Sequence, residues 1–259
     1  MGHIRLGFLP ATQKWQEVVA LIGSNAAVAE IADATADAAE TEFRSATEDP
    51  ALTYAVWLLI QLPLAARSPQ FENRLAELGF EAGAEQSLLS LVSNFSLAID
   101  RHVATRDGRT DLGELARLAG AESLTAVIGP GLPSLFAPDA LDVRLELGKL
   151  TSKIGFARLA RDFFSRLTQK TLEYYLSREL PNHIGPDRAI SSVDKQIAFR
   201  NALERHCREA SKIVEEFAGG WYSKANYKGA ITPRNAQAFT AYALNKMRDE
   251  LRMRRSADG

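Results

Sequence analysis

The residues best suited to chemistry lie between Pro181 and Arg188, where His183 shares a loop with Asp187 and Arg188. A histidine, a carboxylate and a guanidinium in one loop make an exposed cluster where an unrecognised catalytic site would lie. The same three residue types also describe an ordinary exposed loop. His206 falls in the apolar seam of a helix, a pattern that predicts a hydrogen-bonded core histidine rather than a ligand. Cys207 has His206 and Arg208 beside it, yet successive residues of a helix point in different directions, so no activated pair is expected. There is no phosphate loop, no glycine-rich dinucleotide turn, no zinc-ligand spacing and no serine elbow. The sequence therefore assigns no catalytic residue, no metal and no cofactor.

Binding chemistry is better represented. Arg158, Arg161, Arg166, Lys170 and Arg178 recur along one helical segment. Lys224, Lys228 and Arg234 lie beside Trp221, Tyr222 and Tyr227, and Arg248, Arg252 and Arg255 share a face of the last helix. Cations interleaved with rings suit single-stranded nucleic acid, where phosphates take the charge and bases stack on the aromatics. Most of these rings, however, fall on faces expected to be core. The stretch Thr110–Ile128 resembles the helix-turn-helix of bacterial repressors, with Glu114-Leu115-Ala116, an Ala119-Gly120 turn and Thr125 at matching offsets. The resemblance implies a second helix in the major groove. Ser123 to Ile128 has no Arg, Lys, Asn or Gln to read base edges, so an ordinary helical corner is the alternative.

These residues need elements to carry them. The segment Leu150–Leu180 has apolar positions at Ile154, Phe156, Leu159, Ala160, Phe163, Phe164, Leu167, Leu172, Tyr175 and Leu176, a 3.6-residue period. It is expected to be a long core helix, capped by Thr151 or Ser152 and stopped by Pro181. Earlier helices are expected from Thr12 to Ile22, and from about Ala26 to Phe43 after a Ser24 cap. Asp49-Pro50 and Ser68-Pro69 should each start another, and one more should span roughly Ala84 to Val103 up to the turn at Arg106–Arg109. A helix from Ser191, with Asp194 completing a capping box, is expected to end at Gly219-Gly220, leaving Trp221, Tyr222 and Tyr227 in a loop. Thr232-Pro233 starts the last one. Ile4, Leu6 and Phe8 alternate as in a short extended arm.

The fold class is therefore all-α: a helical array or bundle, with two helical subdomains joined by a Pro/Gly-rich segment. An acidic helical region (1–128), a connector (129–143) and a basic helical region (144–259) are expected. Residues 1–143 hold 9 Lys and Arg against 19 Asp and Glu, whereas residues 144–259 hold 22 against 13, so a net charge of −1 hides a divide. Such asymmetry marks either an anionic partner or attraction between the halves, within one chain or between subunits.

The single cysteine fits a reducing cytosol, no signal peptide is read at the start, and the apolar run Ala51–Ala66 falls short of a bilayer span. Heavy use of Ala, Arg and Leu has a bacterial character. The leading expectation is a non-enzymatic, cytoplasmic protein that binds a protein partner or itself. It would be a subunit or accessory factor of a larger assembly, such as a bacterial defence system. A nucleic-acid-binding protein using the basic half is the alternative, and an enzyme with an unrecognised site is the third reading.

Overall fold

The computed structural model describes residues 9, 12–39, 48–81, 87–104, 110–133 and 138–258, with side chains up to residue 253. The chain is an all-α array. In order, the helices are α1 (Gln13–Gly23), α2 (Val28–Ala38), α3 (Pro50–Arg67), α4 (Phe71–Glu77), α5 (Leu88–Ala104) and α6 (Asp111–Ile128). After the Pro/Gly-rich stretch come α7 (Ala140–Lys149), α8 (Lys153–Leu176), α9 (Val193–Ala210), α10 (Lys212–Tyr227) and α11 (Pro233–Asp258). Among the described residues there is no strand, only a lone parallel bridge between Ile184 and Ile190. The extended arm expected at Ile4–Phe8 and the turn at Arg106–Arg109 lie outside the described residues.

Local signals set most of these boundaries. The Asp49 carboxylate accepts the Leu52 N–H at 2.8 Å, with Pro50 in the first helical position, where its missing N–H costs nothing. Ser152 accepts the Gly155 N–H at 3.0 Å and starts α8, and Asp139 with Asp142 forms a full capping box on α7. Helix α3 is apolar nearly all round and is buried accordingly, with Leu52, Leu58, Ile60 and Leu62 fully out of solvent.

Helix α8 is the centre of the array. It packs most extensively against α10 and α6, then against α9, and it also touches α2 and α11. Phe156, Leu159, Phe163, Phe164, Leu167 and Leu172 are all buried, whereas Ile154, expected on the same face, is exposed because it lies on the first turn. The Phe156 ring stacks on Tyr222 with centroids 4.0 Å apart, and Phe164 meets Phe239 edge-on at 6.0 Å. The buried Tyr222 hydroxyl reaches back to the Ile60 carbonyl at 3.4 Å, in the turn of α3 that Pro63 disturbs. One cluster of buried apolar side chains extends from Trp15 to Leu251, drawing on helices from both sides of the connector.

Several expected boundaries fall elsewhere. Thr110–Ile128 contains no turn: Ala119-Gly120 lies in the middle of the single helix α6. Gly120 is there because the Phe95 ring of α5 rests on it, and an added Cβ would come within 2.5 Å of that ring. The likeness to a repressor helix-turn-helix is thereby overturned. The helix starting near Ser191 is capped by Ser192 and breaks at Ser211, not at Gly219-Gly220. Those glycines lie inside α10, which carries Trp221 and Tyr222 into the core. Gly219 permits a close crossing, because a Cβ there would sit 2.2 Å from the Lys153 carbonyl at the start of α8.

Ser24 does not cap α2. Its hydroxyl donates to the Leu21 carbonyl, and the chain turns instead at Asn25, whose φ is +56°. Helix α2 ends at Ala38 and leaves residues 40–47 outside the description. Ser68-Pro69 gives a bend, and the short α4 begins only after Gln70.

The two adjacent glycines of α10 make a sharp test of the α8–α10 crossing. Gly220 has nothing within 4 Å of an added Cβ, so Gly220→Ala is expected to stabilise by about 0.5–1 kcal/mol through helix propensity. Gly219→Ala is expected to destabilise instead, because backbone stands in the way. Urea unfolding that shows equal effects for the two variants would remove the close crossing.

Candidate functional site

Of the candidate binding cations on α8, the structure ties Arg161, Arg166 and Lys170 to carboxylates of the same chain. Arg161 meets Glu215 of α10 at 2.5 Å. Arg166 bonds Asp162 one turn back at 2.6 Å and Glu122 of α6 at 3.2 Å. Lys170 reaches the other oxygen of Glu122 at 2.7 Å. Burial works against the Arg166 charge, but Asp162 and Glu122 outweigh it and hold its pKa above the ordinary value. Arg178 lies over the Tyr174 ring, 4.4 Å from its centroid, and donates to the Tyr174 hydroxyl, which in turn donates to Asp111. Burial, with the Asp111 carboxylate, pushes the Tyr174 pKa up.

Helix packing thus carries the charge divide. Glu122 and Asp111 belong to the acidic stretch, and they meet the basic α8 along the α6–α8 contact. Arg252 of α11 likewise pairs with Asp37 of α2, which also holds Lys14 at 3.1 Å. Arg248 is mostly buried and approaches Asp249 at 3.7 Å, and the side chain of Arg255 lies outside the described residues. On the outside of α9, Glu204 pairs with Arg208 at 3.7 Å, while Lys212 turns to Glu209.

Other cations stay unengaged. Among the described residues Arg158, Lys195, Arg200, Lys224, Lys228 and Arg234 make no side-chain hydrogen bond or ion pair. Lys224, Lys228 and Arg234 flank the α10–α11 turn, where Tyr227 is 92% exposed. Trp221, expected beside them, instead stacks on Phe239 with centroids 4.3 Å apart. Arg158, Arg161 and Arg166 line one cavity of about 290 Å³ between α8 and α9.

The histidine loop does not assemble an acid–base site. His183 Nε2 lies 3.0 Å from Glu179, one turn back, and its ring packs near Gly23 at the end of α1. Arg188 folds over Gly185 and donates to the Asn182 carbonyl, while Asp187 stays exposed. The Gly185 N–H to Ile190 carbonyl bond and the Ile190 N–H to His183 carbonyl bond, both 3.0 Å, close the loop on itself. The Cys207 thiol is buried and its pKa is pushed up by desolvation and by Glu173 and Glu204, so no thiolate is on offer. No group of three metal-ligating side chains, and no helix long and apolar enough to cross a membrane, occurs among the described residues.

What sequence periodicity missed is an apolar face on α9. Val193 is 70% exposed and Ile197, one turn on, is 53% exposed. Beside them on α9, Gln196 and Arg200 wall a groove of about 270 Å³ together with Glu173, Leu176, Leu180, Ile184, Phe199 and Leu203. Leu141 and Leu145 of α7 are exposed too, and line a cavity with Gly131 and Pro133.

Comparison of the chain with models of protein families, with curated proteins and with solved structures found no match in any of the three. The class that the fold defines is an all-α helical array.

If Glu122 joins the acidic and basic stretches, Glu122→Gln should lower stability by about 1 kcal/mol near 0.1 M salt, as partly exposed ion pairs contribute. The deficit should shrink towards 1 M, where the Debye length falls to about 3 Å. Urea unfolding with no deficit at either salt would mean the contact is incidental.

Proposed function

We propose that this chain is a non-enzymatic protein that acts by binding another protein, as a subunit or accessory factor of a larger assembly. The observation that carries the reading is the exposed pair Val193 and Ile197 beside the groove between the end of α8 and α9. Apolar side chains a turn apart, next to an apolar groove, gain most when a second surface removes them from water. Arg200 stands at the same face without a partner among the described residues, so the complementary surface carries a carboxylate beside an apolar centre. The acidic first half of another copy of this chain offers that charge. Catalysis finds little support, because the His183 loop is satisfied internally and Cys207 is buried and protonated.

Nucleic-acid binding is the second reading. It is favoured by one feature, the exposed Tyr227 ring among the unengaged Lys224, Lys228 and Arg234. Of the α8 cations, Arg161, Arg166 and Lys170 already pair with Glu122, Asp162 and Glu215, which leaves Arg158 unengaged there.

Sedimentation velocity over a concentration series, with a parallel titration of mixed-sequence single-stranded DNA and RNA, separates the two. The expected result is association of the wild type, loss of it in the Val193→Glu/Ile197→Glu variant at unchanged melting temperature, and only weak nucleic-acid binding at physiological salt. A wild type that is monomeric throughout and binds nucleic acid at micromolar or tighter Kd would overturn the proposal.

A further inference from the structure

The cavity between α8 and α9 has a composition that packing alone does not explain. Its floor is a stripe of α8: Arg158, Arg161 and Asp162, then Ser165 and Arg166, fall at successive turns of one face. Its far wall is Glu204 and Arg208 of α9, and Ser211 closes the end where α9 gives way to α10. Four guanidiniums share this space with two carboxylates, Asp162 and Glu204, so the lining carries an excess of positive charge. Three of the four are held in place by neighbours. Asp162 fixes Arg166 at 2.6 Å, Glu215 fixes Arg161 at 2.5 Å, and Glu204 lies 3.7 Å from Arg208. Arg158 has no partner among the described residues.

The second observation is independent of charge. Ser165 is only 8% exposed, lines the cavity, and its hydroxyl makes no hydrogen bond among the described residues. The hydroxyl oxygen opens onto the cavity rather than into the core, so it stands as a donor to whatever fills that space. An acceptor oxygen in the cavity would satisfy Ser165 and Arg158 together.

The chemistry of that acceptor is narrow. Four guanidiniums against the two carboxylates of Asp162 and Glu204 favour an anion over a cation. A planar carboxylate would meet donors on one side, whereas these donors converge from two helices, which suits a tetrahedral group with three free oxygens. A volume of about 290 Å³ is at the lower end for ligand sites, enough for a small phosphorylated molecule. We propose that the α8–α9 cavity binds a phosphate-type oxyanion, either free phosphate or the phosphate of a small monoester, through Arg158, Arg161, Arg208 and the Ser165 hydroxyl. The ligand would also link α8 to α9, next to the face proposed for partner binding, although the site does not depend on that reading.

Calorimetric titration of the full chain with inorganic phosphate and, separately, with glycerol 1-phosphate tests this, with chloride holding the ionic strength constant. Saturable binding of either at one site per chain is expected, and the tighter of the two identifies the source. Arg158→Gln should weaken it about tenfold or more, the loss of one charge-assisted hydrogen bond, while Lys228→Gln, at the α10–α11 turn, leaves it unchanged. Because Arg158→Gln could act through general charge, Ser165→Ala is the second variant. It removes a hydroxyl with no partner, so it should weaken binding while the melting temperature of the free protein holds or rises. The proposal is overturned if neither compound binds above the chloride background, or if Arg158→Gln and Ser165→Ala both bind as the wild type does.

Discussion

Helix α8 is enclosed by its neighbours on nearly every side, and the other helices are arranged around it. A 24-residue helix with neighbours on α6, α9, α10, α11 and α2 can leave few side chains in water, and its residues divide accordingly. Leucines and phenylalanines take the core positions, and Thr171 satisfies its own hydroxyl on the Leu167 carbonyl at 2.8 Å. The guanidiniums and carboxylates occupy the seams between α8 and its neighbours. Gly219 lets α10 approach until its backbone meets that of α8, and the Phe156–Tyr222 stack fills the space beside this crossing. Loss of that approach would open the part of the core where α3, α8, α10 and α11 converge.

Enclosure also explains why a chain of nearly neutral total charge is so unevenly built. A basic helix surrounded by neighbours must find its counter-charges on them, and α6 supplies Glu122 and Asp111 from the acidic stretch. The pair between Arg252 and Asp37 repeats the arrangement at the α2–α11 contact. Each such pair contributes little alone, being partly hydrated. Together they use up much of the positive surface that a phosphate backbone would need, so what remains for recognition is apolar, on α9, or confined to the α10–α11 turn and the arginine cavity.

Much of this was legible in the sequence where a boundary has a local cause. Asp49-Pro50, Ser152 and Thr232-Pro233 mark helix starts through hydrogen bonds made within four residues, and the 3.6-residue period of α8 shows its buried face. Gly120 and Gly219-Gly220 misled because a glycine at a turn and a glycine at a helix crossing are the same letter. The Phe95 ring and the Lys153 carbonyl that require them are distant in the chain. The break at Ser211 has no Pro or Gly to announce it. For the binding residues, spacing placed Arg158, Arg161 and Arg166 on one helix but could not supply Glu122, Glu215 or Arg208, which come from other elements. Val193 and Ile197 read as ordinary helix positions until the neighbouring helices are in place and leave them uncovered.

Helix α8, packed on nearly every side, is expected to be the last element to come apart. Native-state hydrogen exchange measures this directly, amide by amide. The amides from Phe163 to Leu172 should exchange only through global unfolding, with protection equal to the stability found in urea and exceeding that of α1 and α4. Exchange of those amides at lower free energy than the global value, with α3 or α5 more protected, would place the stable centre elsewhere.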